Sequence, residues 1–235
     1  MNSQVADYSR QISQINGYPD TRWLGVYPAS VVDNQDPDRQ GRVKVRLPWS
    51  PDGSSAYESW ARLATMMGGN NRGSWFVPDN HDEVLIAFAA GNPDHPYVVG
   101  SLWNGQDSPP QTMDSDNNIK AIVSRNGIRI SLDDTAGAET LTLSTPGGQQ
   151  ITLTDNGRSI LLEDANGNSL EMAPGGVTLS VPAALTIHAG TVTISSGIGT
   201  VESSVWTYSG VVTSDAIVTN SVVSSAYTPG MGNVW

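Results

Sequence analysis

The stretch ETLTLSTPGGQQITLTDNG, residues 139–157, places an apolar side chain at every second position on both sides of a glycine-rich turn. The apolar pairs are Leu141 and Leu143 before the turn, and Ile151 and Leu153 after it. Side chains of a β-strand alternate between its two faces, and glycine-rich turns join antiparallel strands. The stretch therefore predicts two strands with one apolar face each, joined by a tight turn.

The same unit recurs through the second half of the chain. Alternating apolar positions recur at Ile128, Ile130 and Leu132, at Leu170 and Met172, at Val177, Leu179 and Val181, at Leu185 and Ile187, and at Val192 and Ile194. Their spacing shortens towards the C-terminus, where only Glu202 and Asp215 are charged after residue 172. Frequent β-branched residues and little charge favour strands over disorder.

A single chain of this kind would expose an apolar face and two unpaired strand edges. Winding identical chains around a common axis covers both, because every edge then meets a neighbour. We therefore predict an intertwined, trimeric β-helix or β-prism, a needle in shape. Its expected core residues are Ile128, Ile130, Leu141, Leu143, Ile151, Leu153, Leu179, Leu185, Ile187, Val192 and Ile194.

The first half predicts a different all-β architecture. Its candidate strands are 24–32, 42–47, 59–65, 83–89 and 97–102, with glycine-, proline- and asparagine-rich turns between them. Five short strands with several tryptophans are typical of a small closed barrel of the oligonucleotide/oligosaccharide-binding (OB) type. The fold class expected for the whole chain is all-β, an N-terminal OB barrel followed by the trimeric needle.

Composition excludes several classes of site. The chain of 235 residues has no cysteine, three histidines and a net charge of −11. It therefore has no disulfide and no thiol nucleophile, and an acidic chain repels nucleic-acid phosphates. No apolar run approaches the roughly 20 residues that span a bilayer. The N-terminal stretch also lacks the apolar core of a signal peptide, which predicts synthesis in the cytoplasm.

Ordered motifs in the first half carry a family resemblance. The series D-P-x3-G-R-V-K-V-x-L-P-W begins at Asp36, W-A-R begins at Trp60, and P-x3-D-E-V-L-x-x-F begins at Pro78. G-N-P-x-x-P-x-V-x-G follows from Gly91. The series resembles the OB domain of contractile-tail central spikes, the family of phage baseplate assembly protein V and VgrG. The repeats that follow residue 125 are similar to the start of the needle in that family.

The resemblance implies a division of the chain and a set of partners. It implies a hub-contacting segment at 1–23, an OB barrel at 24–108, a linker at 109–119, a needle at 120–226 and a tip segment at 227–235. The partners implied are two further copies of the chain, a separate hub protein and a PAAR-repeat tip protein. Hub or trimer contacts are expected at Asp36, Pro37, Gly41, Arg42, Trp49, Trp60, Arg62 and Glu83, and tip docking at Tyr227, Pro229, Gly230 and Trp235.

The residues that could form a catalytic or metal site are better explained as ordinary strand, turn and linker residues. Adjacent carboxylates such as Asp82 and Glu83 point to opposite faces of a strand, so they cannot converge on one bond. Asp114-x-Asp116-x-Asn118 begins like a calcium loop but lacks the glycine and the closing glutamate, which favours a polar linker. His188 is expected to point away from the needle axis, so a threefold metal cluster is disfavoured. We expect no catalytic residue, no metal and no cofactor.

The tryptophans at 49, 60, 75 and 103 allow two interpretations. They are either a stacking platform for single-stranded nucleic acid or rings that fill the barrel and its trimer contacts, and the absence of a cationic groove favours the second. Arg42, Lys44 and Arg46 alternate on one strand face, which indicates a solvated or inter-subunit salt-bridged surface.

The predicted function is that of a structural central spike. It would dock under the baseplate hub of a phage tail or a tail-like injection particle, and pierce the target envelope when the sheath contracts. The alternatives are a secreted carbohydrate-binding or adhesin-like β-protein and an OB-fold nucleic-acid module. Neither alternative explains the fibre-like second half.

Overall fold

The computed structural model describes residues 22–48 and 56–225, and their regular structure is almost wholly β. The strands are β1 (Val26–Asp33), β2 (Val43–Arg46), β3 (Glu58–Leu63), β4 (Gly68–Gly69), β5 (Arg72–Gly73), β6 (Glu83–Phe88), β7 (Pro96–Leu102), β8 (Ile119–Val123), β9 (Arg129–Asp133), β10 (Thr140–Ser144), β11 (Gln150–Thr154), β12 (Ser159–Glu163), β13 (Ser169–Ala173) and β14 (Gly176–Ser180). One 3₁₀ turn, Ala89–Gly91, precedes β7. The described residues divide into two units, the first ending at Ala184 and the second beginning at Leu185.

Five strands close into a barrel, as the sequence predicts. Their order is β1-β2-β3-β7-β6, and β6 pairs with β1 to complete the ring. All neighbours are antiparallel except β3 and β7, which run parallel. Alternate side chains point inward, and the largest fully buried ones are Val31, Val43, Val45, Leu47, Val84 and Ile86. This β-branched and aliphatic core provides the apolar burial that stabilises the barrel.

An aromatic cluster packs against the barrel core. The ring of Trp23 lies 5.0 Å from those of Tyr57 and Phe88, and Tyr27 lies 5.7 Å from Phe88. Trp75 and Trp103 do not fill the barrel of the single chain, because both side chains are mostly exposed, and the trimer contacts expected for them stay a prediction. Tyr27 and Phe88 are part of the buried core together with its aliphatic side chains, and Trp23 and Tyr57 pack against that core.

Strands β8 to β14 form one antiparallel sheet in which each strand pairs only with its sequence neighbours. The register aligns apolar residues in two adjacent rows on one face. One row is Ile122, Ile130, Leu143, Ile151, Leu162, Leu170 and Leu179; the other is Leu132, Leu141, Leu153, Ile160, Met172 and Val177, with Lys120 at its β8 end. We call these two rows the apolar ladder.

The opposite face of the sheet is mainly polar. In its central row Thr142 pairs with Ser131 and Thr152 on the neighbouring strands, and Thr178 pairs with Glu171. Among the described residues, one ion pair joins the sheet to the barrel, between Arg125 and Asp79 at 2.8 Å. Both side chains are largely exposed, and ion pairs of this kind contribute only about 0–1 kcal/mol.

Residues 185–225 contain no strand within the single chain. The strands expected at Leu185/Ile187 and Val192/Ile194 are therefore absent here, and these side chains are exposed. A strand exists only when its backbone groups bond to a neighbour, and this part of the chain forms no such ladder with itself. The intertwined β-helix stays a prediction.

Candidate assembly surfaces

The loop between β1 and β2 is organised by the carboxylate of Asp36. Its oxygens accept hydrogen bonds from the backbone N–H groups of Asp38, Gln40 and Arg42 at 3.0, 2.7 and 3.2 Å. The Arg42 guanidinium also donates to Asp36 through Nε and Nη2 at 3.1 and 2.7 Å. The Asp36 side chain is only 4% exposed. Its hydrogen bond with Arg42 and those from the loop backbone hold its pKa well below the ordinary range.

The cationic face of β2 is paired within the chain. Glu58 on β3 forms ion pairs with Lys44 at 3.2 Å and with Arg46 at 2.5 Å. These hydrogen bonds lower the pKa of Glu58, Arg46 contributing most. Arg42 pairs with Asp36 and also lies 5.8 Å from the centre of the Trp60 ring. All three cations of this face therefore have partners inside one barrel.

The structure divides the predicted contact residues of the barrel into two groups. Asp36, Pro37, Gly41 and Arg42 share the β1–β2 loop, and Trp60 and Arg62 lie on the adjacent strand β3. Glu83 stands apart from them at the start of β6, where its carboxylate accepts a hydrogen bond from Asn104 at 2.9 Å. Trp49 lies outside the described residues, as do the predicted tip residues Tyr227, Pro229, Gly230 and Trp235. The contact roles of all these residues stay predictions.

A groove next to the β1–β2 loop was not predicted from the sequence. It has a volume of about 770 Å³ and is lined by residues 62–69 and 71–77, which are the end of β3 and the segment that follows it, together with Gln40, Gly41 and Arg42. We call it the loop groove. Four large apolar side chains of this segment are exposed, namely Met66, Met67, Trp75 and Phe76. In the sequence these residues flank Gly68-Gly69-Asn70-Asn71, which indicates only a turn, and they follow neither a strand nor a helix period.

The apolar ladder forms a second surface. Most of its side chains are between a third and a half exposed. The row that runs from Ile130 to Leu179 lines an open groove of about 620 Å³. Of the predicted core residues, those on the ladder are Ile130, Leu141, Leu143, Ile151, Leu153 and Leu179. Ile128 precedes β9 and lines the same groove. The remaining four, Leu185, Ile187, Val192 and Ile194, lie in the second unit and are exposed.

The turns of the sheet use their carboxylates locally. Asp164 accepts hydrogen bonds from the backbone N–H groups of Asn166 and Asn168 at 2.8 and 3.0 Å, and from the Asn168 amide at 2.8 Å. These bonds, led by the one from the Asn168 side chain, lower the pKa of Asp164 to about 2. Asp114 likewise accepts the N–H groups of Asp116 and Asn117. These geometries serve turn formation.

Comparisons with known proteins match both halves of the chain. Residues 27–103 match the family described as the type VI secretion system/phage-baseplate injector OB domain. Residues 140–202 match the phage baseplate V C-terminal trimerisation domain. The first match spans the barrel strands, and the second spans β10 to β14 and continues into the second unit. Within the described residues, no helix has the length and apolar character needed to cross a membrane.

Three curated relatives illustrate the similarity. The type VI secretion system spike protein VgrG1b of Pseudomonas aeruginosa is 30% identical over 124 residues, which cover 48% of this chain and 17% of the relative. VgrG3 of Vibrio cholerae, also a type VI secretion system spike protein, is 31% identical over 114 residues, 45% of this chain and 11% of the relative. The actin cross-linking toxin VgrG1 of Vibrio cholerae is 29% identical over 125 residues, which cover 47% of this chain and 11% of the relative. The aligned part thus spans less than a fifth of each relative.

Proposed function

Because the chain belongs to the VgrG-like baseplate spike family, we propose that it is the central spike of a contractile phage tail or a tail-like injection particle. Three copies assemble through their second halves, and the barrels form a collar beneath the baseplate hub. The needle pierces the target envelope when the sheath contracts. The protein acts mechanically, and we assign it no enzymatic role.

The apolar ladder is the observation that carries this proposal. A single-layer sheet with an apolar face in water loses the burial that normally stabilises a sheet. Three ladders packed around a common axis would remove those side chains from water, at about 1.5–3 kcal/mol for each large side chain fully buried. The match of residues 140–202 to a trimerisation domain supports three as the number of copies.

In the proposal, residues 185–225 form strands only with neighbouring copies of the chain. They retain alternating β-branched residues yet form no strand inside one chain. In the assembled needle, strands of neighbouring copies supply the missing backbone partners, as in other intertwined fibres in which each edge is covered. The stiff part of the spike therefore exists only in the trimer.

The remaining partners of the proposal follow from the resemblance to the spike family. A separate hub protein binds above the barrels, and residues 227–235 end the needle or dock a PAAR-repeat tip protein. We further propose that the chain is made in the cytoplasm and assembled there into the baseplate of the particle.

The first test is the mass of the purified full chain in solution, measured by light scattering with and without mild SDS at room temperature. We expect a detergent-resistant species of about three 24.9 kDa chains. A monomer at every concentration would contradict the proposal. The piercing role is tested by placing residues 27–202 in VgrG1b of Pseudomonas aeruginosa and measuring secretion of the chimera, with a chimera that cannot trimerise as the negative control.

One observation favours the carbohydrate-binding alternative. The rings of Trp75 and Trp103 face solvent in the single chain, and exposed tryptophan is a common platform for sugar rings. A glycan array probed with the assembled protein tests it. Glycan binding that disappears in Trp75→Ala or Trp103→Ala while the mass is unchanged would support this second function.

A further inference from the structure

The loop groove presents apolar side chains from a segment that is held in place. The segment contains the short hairpin β4–β5, and it is closed by a backbone bond from Ser74 to Met67 at 2.9 Å. Thr65 adds a hydrogen bond to the carbonyl of Ser74 at 2.8 Å. Met66 is nevertheless 89% exposed and Trp75 74% exposed. Exposed apolar side chains on a fixed loop mark a surface for binding another polypeptide.

The charge of the loop groove is opposite to that of the chain. Arg42, Arg62 and Arg72 line it, and no acidic residue is among its described lining residues. Arg42 is neutralised by Asp36. Arg62 lies 5.6 Å from the centre of the Tyr97 ring, and in the described part of the chain neither Arg62 nor Arg72 forms an ion pair. In a chain of net charge −11, this is a cationic, apolar binding surface.

Residues 105–118, which connect the barrel to the sheet, have the complementary composition. We call this segment the acidic linker. It contains Asp107, Asp114 and Asp116, has no basic residue, and carries Met113, which is 79% exposed. None of these three carboxylates forms an ion pair with a described cation. The segment therefore offers an apolar anchor flanked by unpaired negative charges.

We propose that the loop groove of one copy binds the acidic linker of a neighbouring copy. Met113 packs among Met66, Trp75 and Phe76, and the linker carboxylates pair with Arg62 and Arg72. We assign the groove to a neighbouring copy because the linker's charge and its exposed Met113 complement the groove, while no ion pair joins the linker to these two arginines within one chain. The inference rests on the trimer of the proposed function, in which the three barrels and their linkers surround one axis.

This contact would join the three barrels of the collar directly to each other. The linker that leaves one barrel would bind the next barrel, so the barrels would be connected by this contact as well as by their needle strands. Charge pairs at such an interface fix orientation and register more than they add affinity. The predicted result is a collar whose barrels keep a fixed rotation relative to the needle.

Cross-linking in the full chain tests the contact, because the natural sequence has no cysteine. The double variant Met66→Cys/Met113→Cys is treated with bis-maleimidoethane and separated on a denaturing gel. We expect covalent dimers and trimers, whereas each single variant and the pair Met66→Cys/Asn166→Cys remain monomeric on the gel. Arg62→Glu/Arg72→Glu in the same background should reduce the cross-linked fraction at least tenfold, and Asp114→Arg/Asp116→Arg added to it should restore cross-linking.

The outcomes separate this inference from the trimer on which it rests. A trimeric mass by light scattering without cross-linking of the Met66/Met113 pair would overturn the groove contact and leave the spike intact. A cross-link confined within one chain would also overturn it, because the occupant would then be the chain's own linker. A monomeric mass would overturn both proposals.

Discussion

At the residue scale, Asp36 determines the shape of the β1–β2 loop. Its pKa is lowered, so the folded state favours the ionised form. The resulting stability is fully present above the ordinary pKa of 3.8 and is lost as the pH falls from there towards the folded-state pKa. We expect the barrel to lose stability below about pH 4 by this route.

Asp36→Asn removes the charge that pairs with Arg42, so it should lower the free energy of unfolding at pH 7 and flatten its pH dependence below pH 4. Chemical denaturation at several pH values, followed by near-ultraviolet circular dichroism of the aromatic cluster, measures both effects. Asp38→Asn is the matched control, since Asp38 also contacts Arg42 but its side chain is 59% exposed. Equal losses in the two variants would contradict the role given to Asp36.

Gly41 has a steric reason to be glycine. Its φ angle is +75°, and a Cβ built there would lie 2.8 Å from two atoms of the Trp75 ring. Gly137 has almost the same φ, +76°, but open space around its Cβ position. Both substitutions to alanine incur the left-handed backbone cost of about 1–2 kcal/mol. Gly41→Ala should lose about 0.5–1.5 kcal/mol more, because the exposed Trp75 ring must turn away from its present position.

Thermal and denaturant unfolding of the two glycine variants test this difference. Adding Trp75→Ala to Gly41→Ala should recover the excess loss, since the obstructing ring is then absent. Equal losses in Gly41→Ala and Gly137→Ala would show that the contact between residue 41 and the Trp75 ring does not change the free energy of unfolding.

At the scale of elements, the two faces of β10 predict opposite results. Leu143→Glu places a charge on the apolar ladder, where about 0.5–1 kcal/mol of further apolar burial per copy would be lost, since Leu143 is 37% exposed, together with the cost of a buried carboxylate. We expect the mass in solution to fall to that of one chain. Thr142→Glu, on the mainly polar face beside Ser131 and Thr152, should remain trimeric. Trimers in both variants would show that the ladder is not the assembly surface.

The strands of the sheet show what the sequence pattern can and cannot predict. β10 and β11 are predicted correctly because apolar and polar side chains alternate strictly in both. β8 was not recognised as a strand, because Lys120 occupies a ladder position and interrupts the apolar alternation. β12 was also missed, because Ile160, Leu161 and Leu162 are consecutive and give no period of two.

The assembly surfaces were predictable to a lesser degree. The alternation of apolar residues identified six of the ladder residues expected in the core. It does so because alternation marks the apolar face of a strand whether that face is covered by the same chain or by another copy. The loop groove was not predictable, since its lining comes from irregular backbone whose shape depends on contacts such as that of Trp75 with Gly41. The pairing of Arg42 with Asp36 needed the folded loop as well, because six positions separate the two residues.

At the scale of the whole molecule, residues 185–225 should gain strand structure only on assembly. We expect their backbone amides to exchange with deuterium within seconds in a diluted, monomeric sample and to be protected in the trimer. Amides of β2 and β6 are the internal control, because barrel hydrogen bonds form within one chain. Equal protection of 185–225 in both samples would contradict the proposed inter-chain strands.

The order of strands in the sheet has a consequence for folding. From β8 to β14 each strand pairs only with the strand before and after it, so its contacts join residues close in sequence. Such low contact order favours rapid formation, hairpin by hairpin, whereas the barrel must wait for β7 to join β3. The sheet can therefore form while its chain is still leaving the ribosome. Its exposed ladder would then need protection by a chaperone until two other chains arrive.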